Sequence, residues 1–338
     1  MVYAYANALV DLGYPVTIVH GSEGQFQYSN RTVPPLPLMS RARHLRDRLL
    51  RPVKLGWFEL DQRVQVINSP RMSVSSVPDS GVIVATSCWS APFVASLPDT
   101  KGRKFYFIQH HEIWSADEEF VNSTWKLPLQ KIVIARWLER IGEELGVTTE
   151  YVPNSIDSSE FPEGPAIEAR PLLVSALVSD LTWKRTDLLI DVLKIIRAEV
   201  PDARANTFGT CARPKDLPDW VEYTQSPTRK QLVSDIYQQS RVYICTSDGE
   251  GWHLPPAEAM ACGSSVVSTD IDGVKEYAEN IALFSPTGDA TGLARQAIRL
   301  LQDPKSCGSA ASRGTDMIRS YQPADAANRL LSVLFPNE

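Results

Sequence analysis

Two hydrophobic periods alternate along this chain, one of helices and one of strands. Residues 2–12 place apolar side chains at helical spacing, and Gly13 follows where a helix end takes glycine. Residues 14–20, Tyr-Pro-Val-Thr-Ile-Val-His, read as a buried strand. Short β-branched runs recur at 64–67, 82–85, 105–108, 131–134 and 150–153, with helical stretches between several of them. The alternation predicts a parallel sheet covered by helices.

The pattern restarts at Pro171. Strands are predicted at 172–177, 203–208, 242–245 and 265–268. Helices are predicted at 187–199, 229–239, 256–262, 290–301 and 324–335. In the first of these, Leu188, Leu189, Val192, Ile195 and Ile196 share one face. Between the two halves, residues 158–170 are rich in Glu, Pro, Gly and Ser with little periodicity, as a linker is. At 338 residues the chain exceeds the usual single-core limit. The expected division is an N-terminal domain over 1–157, a linker over 158–170, a C-terminal domain over 171–320 and a closing helix over 321–338 that packs back on the N-terminal domain. Two α/β domains of this kind face a cleft, with ligands beyond the C-terminal strand ends. The chain opens in a helix, where a doubly wound domain ordinarily opens with a strand and a glycine turn. The N-terminal sheet is therefore expected to lack its first strand or to be built differently.

Composition narrows the class without naming it. The chain is 43% hydrophobic and 22% charged, as globular proteins are. Its net charge of −6 argues against a general nucleic-acid binder. No apolar run reaches the roughly 18 residues of a membrane span, and the first residues lack the positive start of a signal peptide. A cytoplasmic protein is the expectation. The five cysteines are scattered and never in C-x-x-C spacing, so buried reduced thiols are expected, with no disulfide framework or zinc site. The basic run 41–54, bounded by Arg41 and Lys54, reads first as a solvated helix face. Peripheral contact with an anionic membrane surface is its alternative.

The chemistry concentrates at 247–263, Ser-Asp-Gly-Glu-Gly-Trp-His-Leu-Pro-Pro-Ala-Glu-Ala-Met-Ala-Cys-Gly. This segment follows a strand, and proline at 256 suits a first helical turn. The backbone N–H groups of Gly251, Trp252, His253 and Leu254 then meet a helix N-terminus, which favours an anionic pyrophosphate without a metal. Glu258 is expected in the first turn and Glu250 in the loop before it, both able to accept hydrogen bonds from sugar hydroxyl pairs. On spacing alone, a helix-dipole carboxylate and a solvated loop residue explain the pair better; the whole string reverses that preference.

Residues 250–263 closely resemble the E-G-[FW]-G-L-P-x-x-E-A-M-A-C-G signature of retaining glycosyltransferases of the GT-B fold, the "group 1" or family-four set. The segment 152–157, Val-Pro-Asn-Ser-Ile-Asp, resembles that family's P-N-G-[VI]-D strand exit. Residues 173–184 resemble its strand, loop and lysine. The resemblance covers roughly 105–335 and implies two Rossmann-like domains. It implies that Glu258 binds the donor ribose and that Glu250 contacts the sugar ring. Ser247 and the amides near Gly251, Trp252, His253 and Leu254 would meet sugar or phosphates. Lys184, seconded by Arg185, would neutralise the departing diphosphate. Two departures stand out: no arginine precedes Lys184 in its strand, and His253 replaces a more usual glycine.

After the strand 105–108 comes Gln-His-His-Glu. Similar enzymes carry a histidine or a Q-[DH]-x-E stretch here, which implies that His110 or His111 orients the acceptor or reacting sugar. A structural surface cluster is the plainer reading, and no third ligand supports a metal. Asp270-Ile271-Asp272 matches a manganese-binding D-x-D, but turn chemistry explains it better. Trp89, Trp114 and Trp183 are candidates for sugar stacking or for packing. The resulting expectation is a metal-independent, retaining transfer from a nucleotide-diphosphate sugar to a sugar, lipid-linked or small-molecule acceptor. No cofactor is called for beyond that co-substrate. A non-catalytic nucleotide-sugar-binding subunit, or an inactive homologue, is the alternative.

Overall fold

The computed structural model describes residues 1–21, 58–69 and 72–336. The basic run 41–54 lies outside the described residues. The chain forms two compact units, residues 1–153 with 323–338, and residues 154–322.

In the first unit, helix α1 (Val2–Asp11) buries Tyr5, Ala6 and Val10. Ala6 and Val10 pack against Val64. Strand β1 (Thr17–Gly21) pairs in parallel with β2 (Gln65–Ser69). A separate parallel sheet runs in the order β3 (Val82–Ala85), β4 (Arg103–Ile108), β5 (Gln130–Val133), β6 (Thr149–Tyr151). Helices α2 (Ala91–Ser96), α3 (Glu118–Trp125) and α4 (Arg136–Glu144) connect these strands. Phe105, Tyr106, Phe107 and Ile108 of β4 are all buried, as a central parallel strand requires.

The second unit carries a six-stranded parallel sheet in the order β12-β11-β10-β7-β8-β9. Its strands are β7 (Leu173–Leu177), β8 (Arg204–Gly209), β9 (Val221–Gln225), β10 (Val242–Cys245), β11 (Ser265–Thr269) and β12 (Leu283–Ser285). Strand order reverses between β7 and β10, which pair directly, Val174 opposite Val242. The loops leaving those two strands therefore lie side by side at the C-terminal ends of the strands, the place where doubly wound folds take ligands. Helices α5 (Thr186–Glu199), α6 (Leu254–Ala261), α7 (Asp272–Ala278), α8 (Ala290–Gln302) and α9 (Pro304–Ile318) cover the sheet. Leu189, Leu193 and Ile196 of α5 pack into a core with Leu293, Ala297 and Leu301 of α8. A Cβ at Gly209 would stand 2.0 Å from the carbonyl oxygen of Val178, so close pairing of β7 and β8 at that edge requires glycine. The closing helix α10 (Pro323–Leu334) falls in the first unit.

Several predicted elements move. Residues 158–170, read as a linker from composition, lie inside the second unit. They bring Phe161, Ile167 and Arg170 into its interior. Arg170 replaces the missing periodicity with hydrogen bonds: Nε donates to Pro165, one terminal nitrogen to Ser240, and the other to Cys262. Helix α6 starts at Leu254, two residues before the predicted Pro256. Both prolines fit its first turn, where N–H groups have no intrahelical acceptor. Glu258 is consequently in the second turn. The predicted helix at 229–239 is one α-turn, Arg229–Gln231, running into a π-helix over Leu232–Tyr237. Strand β9, strand β12 and helix α9 had not been anticipated. β9 is an edge strand carrying Glu222, Thr224 and Gln225, so its pattern lacks the apolar run of a buried strand.

Candidate functional site

The loops after β7 and β10 converge through four contacts. Thr246 donates from Oγ1 to the carbonyl of Lys184 at 3.0 Å. Asp248 donates its backbone N–H to Trp183 at 2.8 Å. Lys184 donates from Nζ to Glu250 Oε1 at 2.6 Å. Arg185 sits in the left-handed region at φ 52° and holds Asp248 and Asp187 through its guanidinium. Those carboxylates raise its pKa further, so Arg185 is a structural clasp in this arrangement.

The Lys184–Glu250 pair is largely shielded, with side chains 16% and 11% exposed. Burial by itself would raise the Glu250 carboxyl. The facing His253 ring and the Lys184 ammonium outweigh it and hold the group below the usual carboxylate range. The backbone of Glu250 is fixed from behind by α7. A Cβ at Gly273 would lie 2.5 Å from the Glu250 carbonyl oxygen. Asp272, the second aspartate of the D-x-D, heads α7, and Asp270 forms an ion pair with Lys275. The tripeptide therefore belongs to a helix start.

Glu258 points from α6 towards Tyr237, whose hydroxyl donates to Oε2 at 2.9 Å. Arg229 reaches Oε1 at 3.5 Å and Glu160 at the same distance. Burial dominates and raises the Glu258 carboxyl, with Arg229 and Tyr237 opposing it. Tyr237 ends the π-helix, whose wider turn is a recurrent feature of functional sites. Arg229 and Tyr237 were missed by sequence reasoning, since no motif marks them. A buried tyrosine at the end of an irregular helix was the only signal.

The remaining motif residues divide by role. Trp252 is 2% exposed and packs on Tyr277 and Tyr321, with centroids at 4.5 and 5.4 Å. Its ring is core. Ser247 is buried, and its carbonyl accepts from Thr269 at 2.5 Å. The N-terminus of α6 offers fewer donors than its position suggests, because Pro255 and Pro256 lack N–H groups. Of the four N–H groups expected to meet an anion, only that of Leu254 belongs to α6, and Gly251, Trp252 and His253 lie in the loop before it.

His253 has φ 40°, unusual for a side chain with a Cβ, and it caps the start of α6. Tyr277 fixes it by donating to its carbonyl at 2.9 Å. Nδ1 lies 3.2 Å from Cys245 Sγ. Nε2 lies 3.7 Å from Glu250 Oε1 and has no hydrogen bond. Burial lowers the ring to about 4, against the attraction of Glu250. In the unfolded chain the ring protonates near 6.5, whereas the folded chain refuses that proton down to about 4. Stability is therefore lost as pH falls between those values, and the loss from this group at pH 5 is about 2 kcal/mol. Depression of the Glu250 carboxyl acts in the same direction, at lower pH. Urea unfolding at pH 7 and pH 5 tests this: the loss should shrink by about that amount in His253→Gln, and equal losses in both proteins would refute it.

His110 and His111 belong to the first unit. They follow β4, as predicted. His111 Nε2 pairs with Asn122 Oδ1 at 2.7 Å, and its ring meets Trp125 edge-on. His110 Nδ1 lies 3.0 Å from the His111 carbonyl, with its ring edge-on to Trp114 and Trp137. Glu112 accepts from the Cys88 backbone N–H, and burial raises its carboxyl. Trp89 and Trp114 are exposed. All five cysteines are free. Among the described residues no helix is long and apolar enough to cross a membrane.

Residues 170–303, which contain every residue of the second-unit site except Glu160, match the family described as "Glycosyl transferases group 1". The chain is 30% identical over 135 residues to the phosphatidylinositol N-acetylglucosaminyltransferase gpi3 subunit of Schizosaccharomyces pombe, covering 37% of this chain and 29% of that protein. It is 22% identical over 204 residues to a phosphatidyl-myo-inositol mannosyltransferase of Mycolicibacterium smegmatis, covering 56% of this chain and 53% of the relative. The chain thus spans only part of the length of the curated relatives it matches. Among solved structures, sucrose-phosphate synthase from Thermosynechococcus elongatus superposes with a TM-score of 0.72 at 16% identity, covering 99% of this chain and 92% of that one. Anabaena HepE in complex with UDP-glucose gives 0.65 at 16% identity, covering 80% and 85%.

Proposed function

We propose, from the premise that residues 170–303 are a group 1 glycosyltransferase domain in a chain of GT-B fold, that this protein transfers a glycosyl group from a nucleoside-diphosphate sugar to an acceptor hydroxyl. One observation carries the reading. At the switch point of a doubly wound sheet, two shielded glutamates, Glu250 and Glu258, stand on either side of the start of α6, and one of them is paired with a lysine. Carboxylates in such a place suit vicinal hydroxyls, and a lysine beside backbone N–H groups suits a diphosphate. In this reading Glu258 takes the ribose hydroxyls and Glu250 a hydroxyl of the sugar ring. Lys184 and the amides near Leu254 neutralise the leaving diphosphate, so the chemistry needs no divalent cation.

Retention of anomeric configuration follows from the resemblance of the 250–263 signature to retaining enzymes. His110 and His111 are assigned to the acceptor side because they leave the C-terminal end of a parallel strand, where titratable groups of α/β enzymes gather. The relatives include enzymes named for phosphatidylinositol and polyprenol-linked acceptors, which supports a lipid-linked acceptor here. The run 41–54 would be its membrane-facing contact.

The test is a thermal-shift screen of the whole chain with UDP-, GDP-, ADP- and dTDP-sugars. One class should raise the melting temperature, as ligand linkage requires. Glu258→Gln should remove that shift while making the ligand-free protein slightly more stable. The neutral amide escapes the cost of burying a charge, yet it accepts less strongly from ribose. Transfer or slow donor hydrolysis should accompany binding. Binding with no turnover under any condition would favour the donor-binding subunit. A shift that persists unchanged in Glu258→Gln would remove Glu258 from the site.

A further inference from the structure

Lys184 and Glu250 are each other's partner in the ligand-free chain, at 2.6 Å. In the function proposed above, both are also partners of the donor: Lys184 of the diphosphate, Glu250 of the sugar. Lys184 has one flexible stem and one compact ammonium. As it turns to a doubly charged diphosphate, its bond to Glu250 lengthens or breaks, and a carboxylate shielded from water loses its counter-charge. An abandoned buried carboxylate is costly, so something must replace the ammonium.

One side chain is placed to do so. His253 is 6% exposed, and its Nε2 is buried without a hydrogen bond, 3.7 Å from Glu250 Oε1. The other side of the ring bears on its tautomer. Nδ1 lies 3.2 Å from Sγ of Cys245, a buried thiol that desolvation keeps protonated, and in the tautomer required here that S–H donates to Nδ1. With Nδ1 accepting, the neutral ring carries its hydrogen on Nε2, aimed at Glu250. The groups that face this ring are Cys245 from β10, Glu250 and Lys184 from the two loops, and Tyr277 from α7, which holds the His253 carbonyl. The distance is a few tenths of an ångström beyond a hydrogen bond, which is within a small rotation of the carboxylate.

We propose that His253 is a positioning residue that takes over Glu250 when Lys184 leaves it for the diphosphate, its Nε2–H closing onto the carboxylate and keeping it aimed at the sugar. A left-handed backbone at φ 40° strains a residue with a Cβ and fits glycine without strain. The strain is consistent with a side chain retained for what it does, since strained residues cluster at functional sites. The exchange makes diphosphate binding and sugar alignment a single event: Glu250 is released from Lys184 only when a diphosphate is present, and is then held by a neutral donor that does not compete for the phosphates.

The experiment reads the imidazole directly, by long-range nitrogen–proton NMR of the whole chain labelled at histidine, with the His253 signal assigned by its disappearance in His253→Gln. In the ligand-free protein the ring should be neutral, with hydrogen on Nε2. Lys184→Met imitates departure of the ammonium without any nucleotide. There the Nε2 proton should move downfield, and the His253 titration midpoint should rise by at least about one pH unit, because the other hydrogen-bond partner of Glu250, Ser247, carries no charge. An unchanged midpoint in Lys184→Met overturns the exchange, whatever the protein binds. UDP, GDP, ADP and dTDP are then added to the wild-type chain. A downfield shift of the same proton with the nucleotide that binds supports the exchange, and binding without that shift overturns it. If none of the four binds, the donor-site reading fails, and the Lys184→Met arm still decides whether His253 can hold Glu250. His253→Asn tolerates the left-handed backbone but is too short to reach, so it should bind nucleotide normally while donor turnover falls about tenfold. Equal turnover in His253→Asn and wild type overturns the positioning role.

Discussion

Replacing Glu250 with glutamine is expected to lower donor turnover about 10²–10³-fold while leaving nucleotide affinity within a few-fold of wild type. The carboxylate is held below its usual range, so it is ionised at neutral pH, and in the proposed function it carries that charge where the sugar ring develops positive character. That stabilisation grows towards the transition state, and only such interactions accelerate the reaction. Nucleotide affinity should survive because ribose is assigned to Glu258 and diphosphate to Lys184. Lys184 even gains freedom, since its 2.6 Å partner becomes neutral. The measurement is donor hydrolysis or transfer with the nucleotide class found by thermal shift, with circular dichroism as a control for folding. Turnover within threefold of wild type would rule out an electrostatic role for Glu250. Loss of nucleotide binding in parallel would move Glu250 from the sugar to the nucleotide.

The second large effect is on stability. Arg170→Met is expected to cost the second unit about 3–5 kcal/mol, because it removes three buried charge-assisted hydrogen bonds, although the Ser240 and Cys262 carbonyls keep a second donor each, Ser264 Oγ and the Gly164 N–H. Arg170 is 3% exposed and donates to the carbonyls of Pro165, Ser240 and Cys262. Ser240 follows the π-helix and Cys262 ends α6, and a thioether donates to neither, nor to Pro165. Arg241 leans on the same point by donating to the Arg170 carbonyl at 2.7 Å. The C-terminal end of α6 would loosen, and Glu258 sits one turn before it. Urea unfolding should show an early transition for the second unit, with nucleotide-dependent stabilisation reduced as well. A cost below about 1 kcal/mol would mean that water reaches those carbonyls and that the network contributes little.

The two effects separate by what each residue touches. Glu250 is proposed to face the donor, and its loss should be seen in turnover. Arg170 touches only protein, and its loss should be seen in the unfolding curve. A chain in which both substitutions changed turnover and stability alike would contradict the division between them.

How much of this was legible beforehand depends on the kind of signal. Strands β3, β4, β7, β10 and β11 were placed within two residues, because a parallel strand buried on both faces needs a short continuous apolar run. The strand-to-helix setting of Glu250 and Glu258 was legible because a proline pair after a glycine-rich turn has few other uses. The start of α6 was misjudged by two residues, since proline marks a first turn without saying which of its positions it holds. The same ambiguity moved Glu258 from the first turn to the second. The linker was misread because hydrogen bonding by one arginine leaves no periodicity, and Glu, Pro, Gly and Ser look alike in a loop that is packed and one that is not.

The sequence by itself determined the class of the second unit, the strand that carries each candidate loop, and the carboxylates and lysine that could meet a sugar nucleotide. These are local properties: period, turn chemistry and a motif whose residues are neighbours in the chain. The tertiary structure decided what those residues do to one another. It paired Lys184 with Glu250 across 66 positions of sequence. It set Tyr237 and Arg229 on Glu258, turned Trp252 into the core, and left Nε2 of His253 facing a carboxylate with no bond made. The first of these depends on strand order reversing between β7 and β10, which brings distant loops to one edge. Order in a sheet is fixed by long-range packing, and no local pattern encodes it.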